Sequence, residues 1–109
     1  MTYVPERGDV VWIDVDPQVG HEQAGRRPAL VLSEGFYNRQ SGLAVFCPIT
    51  NQVKGYPFEV LIPVGLAVKG VVLVDQVKSL DWPGRRAVYL CDMPDVTVEA
   101  VRERIRKLV

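Results

Sequence analysis

Histidine is nearly missing from this chain: His21 is the only one in 109 residues, and only two cysteines, Cys47 and Cys91, accompany it. One imidazole and two distant thiols lack the close Cys/His spacing of a zinc centre, so neither a metal site nor a cofactor is expected. Both cysteines lie in apolar runs, the setting of buried free thiols in a reducing cytosol, and spacing alone leaves a disulfide between them open. No apolar run approaches the roughly 20 residues that span a bilayer, and residues 1–7 do not read as a signal peptide. A soluble, cytoplasmic protein with no membrane partner is therefore expected. Charge of either sign is not in excess, with 13 Lys and Arg against 13 Asp and Glu, so net charge alone gives no reason to expect a nucleic-acid partner. Repeats, low-complexity tracts and linkers are absent as well. A 48% hydrophobic composition over this length suits a single domain across residues 1–109 and is too small for two.

What the chain does contain is a succession of short strand patterns. Residues 8–15 alternate, with Val11, Ile13 and Val15 on one side and Val10, Trp12 and Asp14 on the other, which predicts a half-buried strand. Residues 28–33 predict a second strand and 34–41 a short helical turn. Residues 43–50 are apolar enough for a central strand. A loop at 51–57 precedes a strand at 58–64, and two more strands at 70–74 and 76–82 break at Asp75. Pro83-Gly84 turns the chain into a last strand at 87–91. The period then changes: Val98, Val101, Ile105 and Leu108 recur at helical spacing, with Asp95 or Thr97 as candidate caps and Arg104, Arg106 and Lys107 near the end, where cations suit the helix dipole. The pattern predicts a mainly β fold, a small barrel or strongly curved antiparallel sheet closed by one C-terminal helix.

Charge is unevenly spread. Residues 1–25 hold five acids and one base, and residues 26–54 hold four bases and one acid. At the boundary lies Gly20-His21-Glu22-Gln23-Ala24-Gly25-Arg26-Arg27-Pro28. A glycine-flanked loop that carries an acid, an imidazole and two guanidiniums, anchored to a strand, is suited to chemistry on a phosphate ester.

These residues resemble the MazF/PemK toxins, the mRNA interferases of bacterial toxin–antitoxin systems. The likeness runs almost end to end, through Gly8-Asp9-Val10-Val11-Trp12, Asp16-Pro17, the Gly20–Pro28 segment, Pro48-Ile49-Thr50, Lys54-Gly55-Tyr56-Pro57-Phe58-Glu59-Val60 and Asp75-Gln76-Val77-Lys78-Ser79. The last two blocks follow the MazF branch. The resemblance implies an SH3-like barrel, a homodimer and metal-independent, sequence-specific cleavage of single-stranded RNA. It also implies a cognate MazE-like antitoxin whose C-terminal tail lies in the RNA groove. The related CcdB toxins poison DNA gyrase by binding it, so fold alone leaves a non-catalytic gyrase binder as the alternative.

On the resemblance, Arg27, Thr50, Glu22 and His21 are the catalytic candidates. A guanidinium stays protonated above a pKa of about 12, so Arg27 is expected to stabilise charge on the phosphate and not to act as a base. The competing reading is an ion pair with Asp14 or Asp16. Thr50 is expected to hold a phosphate oxygen or the 2′-hydroxyl, against the simpler role of satisfying local backbone. His21 and Glu22 are the proton-transfer candidates. One branch pairs the matching histidine with an aspartate, here Asp75, and with an arginine two residues earlier; Leu73 occupies that place. Trp12, Lys54, Asp75, Gln76 and Lys78 are the candidate RNA-binding residues, with core packing as the competing role of Trp12. Arg85 and Arg86 are further candidate phosphate contacts.

Overall fold

The computed structural model describes residues 3–14 and 25–109. Seven antiparallel strands form one curved sheet: β1 (Asp9–Asp14), β2 (Arg26–Val31), β3 (Leu43–Thr50), β4 (Glu59–Leu61), β5 (Val71–Leu73), β6 (Lys78–Asp81) and β7 (Val88–Asp92). Helix α1 (Gly35–Ser41) joins β2 to β3, a 3-10 turn (Val74–Gln76) joins β5 to β6, and helix α2 (Asp95–Leu108) ends the chain. The strand order is β4-β5-β3-β2-β1-β7, with β6 paired to β3. The sheet curves without closing, and among the described residues β4, β7 and β6 each pair with a single neighbour.

The predicted central strand is the hub. Its first half pairs with β6 from Leu43↔Asp81 to Phe46↔Lys78, and its end pairs with β5 at Ile49↔Val72 and Thr50↔Val71. Its other edge carries β2 from Ala29↔Pro48 to Val31↔Phe46. The strand therefore forks between two partners on one side, and Thr50 lies at the tip of the fork.

Strand alternation divides the apolar side chains between two cores. Val10, Leu30, Cys47, Ile49 and Val72 pack beneath α2 with Val98, Val101 and Met93. Val11, Ile13, Ala29, Val31, Ala44 and Phe46 form the opposite face with Leu80, Trp82 and Ala87. Both faces of β1 are thus covered at its start, where Val10 and Val11 are fully buried. The half-buried pattern expected of residues 8–15 holds over residues 12–14, and Val15 lies outside the described residues.

Several predicted boundaries move for identifiable reasons. The strand expected at 58–64 is reduced to β4, because Tyr56 O accepts the Glu59 N–H in a turn and Pro63 has no N–H for a ladder. The helix at the C-terminus begins at Asp95, and neither Asp95 nor Thr97 caps it. Its N-cap is Pro94, whose carbonyl accepts the N–H groups of Thr97 and Val98. Asp95 instead places a carboxylate in the first turn, where the dipole favours it. Leu108, expected on the buried stripe, is 40% exposed at the fraying end.

The two cysteines are free, and the register explains why they stay apart. Cys91 pairs with Val10, Val10 with Leu30 and Leu30 with Cys47, so three strand spacings separate them. At roughly 4.8 Å per strand that is about 14 Å, twice the Cα separation a disulfide tolerates. Burial, followed by the nearby Asp75 charge, pushes the Cys47 thiol up to about 12, which makes it an inert core residue.

Candidate active site

The tip of β3 and the start of β2 meet at one end of the sheet. The β2–β3 register, continued two residues beyond Ala29↔Pro48, sets Arg27 abreast of Thr50. Arg27 also pairs across β1 with Ile13, so its side chain leaves the sheet on the face of Ile13 and Ala29. A cavity of about 290 Å³ opens there, and both Arg27 and Thr50 line it. Ile13, Ala29, Phe46 and Leu80 make its apolar floor, and Gln76, Lys78 and Arg85 complete its polar rim. Three cations and no carboxylate are among its described lining residues, in a chain with no net charge. Low-dielectric walls lined by one sign of charge concentrate the field, so the cavity is suited to an anion.

Two further concavities adjoin it and share its residues. One, of about 190 Å³, is lined by Thr50, Gln52, Lys54, Tyr56, Phe58, Glu59, Leu73, Asp75 and Gln76. Acid, amide, base and aromatic are mixed there, which suits the edges and faces of nucleobases better than phosphate. The Glu59 carboxylate shapes its wall by accepting the N–H groups of Lys54 and Gly55, at 3.1 and 2.8 Å. The other, of about 260 Å³, includes Trp12, Arg27, Pro28, Thr50, Asn51 and Lys69. Trp12 is 37% exposed and lines this hollow, so core packing does not claim its indole. Thr50 belongs to all three concavities, and Arg27 to two of them.

Of the residues expected to form the site, Arg27, Thr50, Trp12, Lys54, Asp75, Gln76 and Lys78 are thereby brought onto one continuous surface. His21 and Glu22 lie outside the described residues. Lys69 lines the surface without having been singled out in the sequence. Its neighbour Gly70 was the available signal, since a glycine before a strand marks a close backbone approach.

Hydrogen bonding separates the two adjacent arginines. Asp14 pairs in register with Arg26 and engages it at 2.7 Å from Nη1 to Oδ1. Arg86 donates to the same carboxylate from Nε, at 2.8 Å, and from Nη2, at 3.1 Å. These donors, Arg86 first and Arg26 with it, hold Asp14 below the usual carboxylate range. The ion pair with Asp14 considered for Arg27 is therefore made by Arg26, and Asp16, the other partner considered, lies outside the described residues. Among the described residues no hydrogen bond or ion pair engages the Arg27 guanidinium, and it faces the cavity exposed. Thr50 Oγ1 accepts the Gln52 N–H at 3.1 Å. That local bond occupies a lone pair and leaves the hydroxyl proton available to an oxygen in the cavity.

Gly70 sets the position of Thr50. Its φ is +108°, and a Cβ there would stand 2.1 Å from Thr50 O and 2.6 Å from Asn51 Cα. Only glycine lets the chain before β5 pass this close to the tip of β3.

Comparison with known proteins places the chain in a family. Residues 6–109 match the family described as "PemK-like, MazF-like toxin of type II toxin-antitoxin system". The chain is 44% identical over 107 residues to the endoribonuclease toxin MazF of Escherichia coli (strain K12), covering 98% of this chain and 96% of that protein. It is 39% identical over 110 residues to the endoribonuclease toxin ChpB of the same organism, covering 95% and 93%. Among solved structures, a MazE–MazF crystal structure from Deinococcus radiodurans superposes with a TM-score of 0.93 at 51% identity, covering 98% of this chain and 96% of that one.

Proposed function

Because the chain belongs to the family of PemK-like, MazF-like toxins of type II toxin–antitoxin systems, we propose that it is an endoribonuclease toxin that cuts single-stranded RNA without a metal ion. The observation that carries the reading is the shared cavity of Arg27 and Thr50, whose charged lining among the described residues is cationic: Arg27, Lys78 and Arg85.

The reaction needs three things from the protein. The 2′-hydroxyl must lose its proton as its oxygen bonds to phosphorus. The extra negative charge on the non-bridging oxygens must be stabilised. The 5′-oxygen must gain a proton as its bond to phosphorus breaks. The products are a 2′,3′-cyclic phosphate and a 5′-hydroxyl. Arg27 supplies the second requirement through a planar, permanently charged fork, and Thr50 adds a hydroxyl donor to the same phosphate. His21 and Glu22 are assigned to proton transfer on the sequence alone. Trp12, Lys54, Asp75 and Gln76 bind flanking nucleotides in the adjoining hollows, the indole by stacking and the amide by reading a base edge, and Lys78 binds RNA from the rim of the Arg27 cavity. DNA is spared because it has no 2′-hydroxyl.

A cognate MazE-like antitoxin is the expected partner, as the MazE–MazF complexes of Deinococcus radiodurans support, and the family resemblance assigns its C-terminal tail to this groove, where it neutralises the protein. The active species is a homodimer, and its RNA substrate places it in the cytoplasm.

The test is to incubate the protein with a long RNA in EDTA and map the new termini. Cuts at one recurring short motif with 5′-hydroxyl ends are expected. Intact RNA together with inhibited DNA gyrase would overturn the reading in favour of a non-catalytic binder.

A further inference from the structure

Arg26, Arg27, Arg85 and Arg86 converge where β1 ends and β2 begins, but they are not equivalent. Arg27 and Arg85 line the main cavity. Arg26 and Arg86 are held on the Asp14 carboxylate, and Arg26 Nη2 also donates to the Arg86 carbonyl at 2.5 Å. Asp14 is tied to the neighbouring turn through its backbone too: its N–H donates to Arg85 O at 2.9 Å, and its carbonyl accepts from Arg85 Nη1 at 3.1 Å. One residue thus joins the end of β1, the start of β2 and the turn before β7.

We propose that Asp14 is a positioning residue for RNA cleavage, which withholds Arg26 and Arg86 from RNA phosphates so that the scissile phosphate settles between Arg27 and Thr50. The inference rests on the ribonuclease reading. An RNA strand offers a phosphate at every nucleotide, and a guanidinium binds any of them equally well. With Arg26 and Arg86 added to the cations that line the cavity, the mouth of the groove would hold the strand tightly in several registers, of which one is productive. Engaging those two on a carboxylate gives up affinity and gains register. The paired arginines also raise the cost of leaving: each is a charge-assisted donor, and Arg86 binds through two nitrogens.

The signature is a split that simple loss of structure does not produce. Asp14→Asn is expected to bind RNA several-fold more tightly at low salt yet cleave more slowly. Binding is measured on an RNA whose cut nucleotide is 2′-deoxy, so that no turnover intrudes. The slope of log affinity against log salt should steepen by roughly 0.7 for each released arginine that reaches a phosphate. On cleavable RNA both kcat and KM should fall, kcat on the order of tenfold, as expected when productive register is lost. Asp14→Glu should restore the parental slope and most of the rate. Adding Arg86→Gln to Asp14→Asn should return the slope toward the parent. An Asp14→Asn protein with an unchanged slope and a raised or constant KM would reduce Asp14 to a structural tie and overturn the proposal.

Arg86→Gln with Asp14 intact gives an independent check should Asp14→Asn fail to fold. Its salt slope should equal the parent's, whereas a slope shallower by about 0.7 would mean that Arg86 already contacts phosphate and would refute the withholding. A parent protein that neither binds nor cuts RNA would remove the ribonuclease reading itself. A parent that does both, with variants that leave the slope unmoved, would remove only the role of Asp14.

Discussion

Arg27→Ala is expected to cut RNA about 10³-fold more slowly than the parent, the scale on which a guanidinium or an anion-stabilising donor acts at a transition state. Its thermal unfolding should stay within a few degrees of the parent, because among the described residues no partner is left unsatisfied when the side chain is removed. Arg27→Lys keeps the charge and loses the planar fork, so it should recover only part of the rate. Thr50→Val should cost less, since it removes one neutral donor from a cavity that still holds Arg27, Lys78 and Arg85. The two changes should be less than additive when combined, as expected for groups acting on one phosphate. Single-turnover rates on a short RNA give all of these values. An Arg27→Ala protein that cuts at the parental rate would remove Arg27 from the mechanism.

Gly70→Ala should cause a large loss of stability for a single added methyl. Two costs combine there. The backbone sits at a φ of +108°, and the new methyl would meet main-chain atoms of Thr50 and Asn51 that cannot rotate away. Strain and overpacking of about 1–3 kcal/mol each predict a total near 3 kcal/mol, which lowers the melting temperature by on the order of 10–20 °C. Gly65→Ala is the matched control. Its φ is +98°, but nothing lies within 4 Å of the added carbon, so only the backbone strain should appear. Because the clash is with Thr50 itself, Gly70→Ala should also slow cleavage at temperatures where the protein remains folded, and Gly65→Ala should not. Equal melting temperatures for the two variants would show that the chain before β5 gives way freely.

Local patterns made much of this fold legible. The apolar run of residues 43–50 identified the hub strand, and the helical spacing of Val98, Val101 and Ile105 identified the face of α2 that packs on the sheet. The fork at the end of β3 was not legible, because nothing in a strand's own residues states that its two halves pair with different partners. That fork is what places Thr50 beside three concavities at once. Arg26 and Arg27 were hard to tell apart for a related reason. Adjacent strand residues point to opposite faces, and which face holds the acid depends on β1 meeting β2 in one register and not its neighbour. The site residues named by motif proved contiguous wherever they are described. Lys69 carried no motif, because its place beside Trp12 is set by the path of the chain into Gly70.

The proposed cleavage requires the 2′-hydroxyl to act as nucleophile while Arg27 and Thr50 hold the phosphate. One measurement addresses this directly: the cleavage rate, in EDTA, of two short RNAs identical except for a single 2′-deoxy sugar on the 5′ side of the scissile phosphate. The all-ribose strand should be cut to a 2′,3′-cyclic phosphate and a 5′-hydroxyl, and the substituted strand should bind and remain whole. Cleavage of the substituted strand, or loss of cleavage of the ribose strand when divalent ions are chelated, would contradict the mechanism.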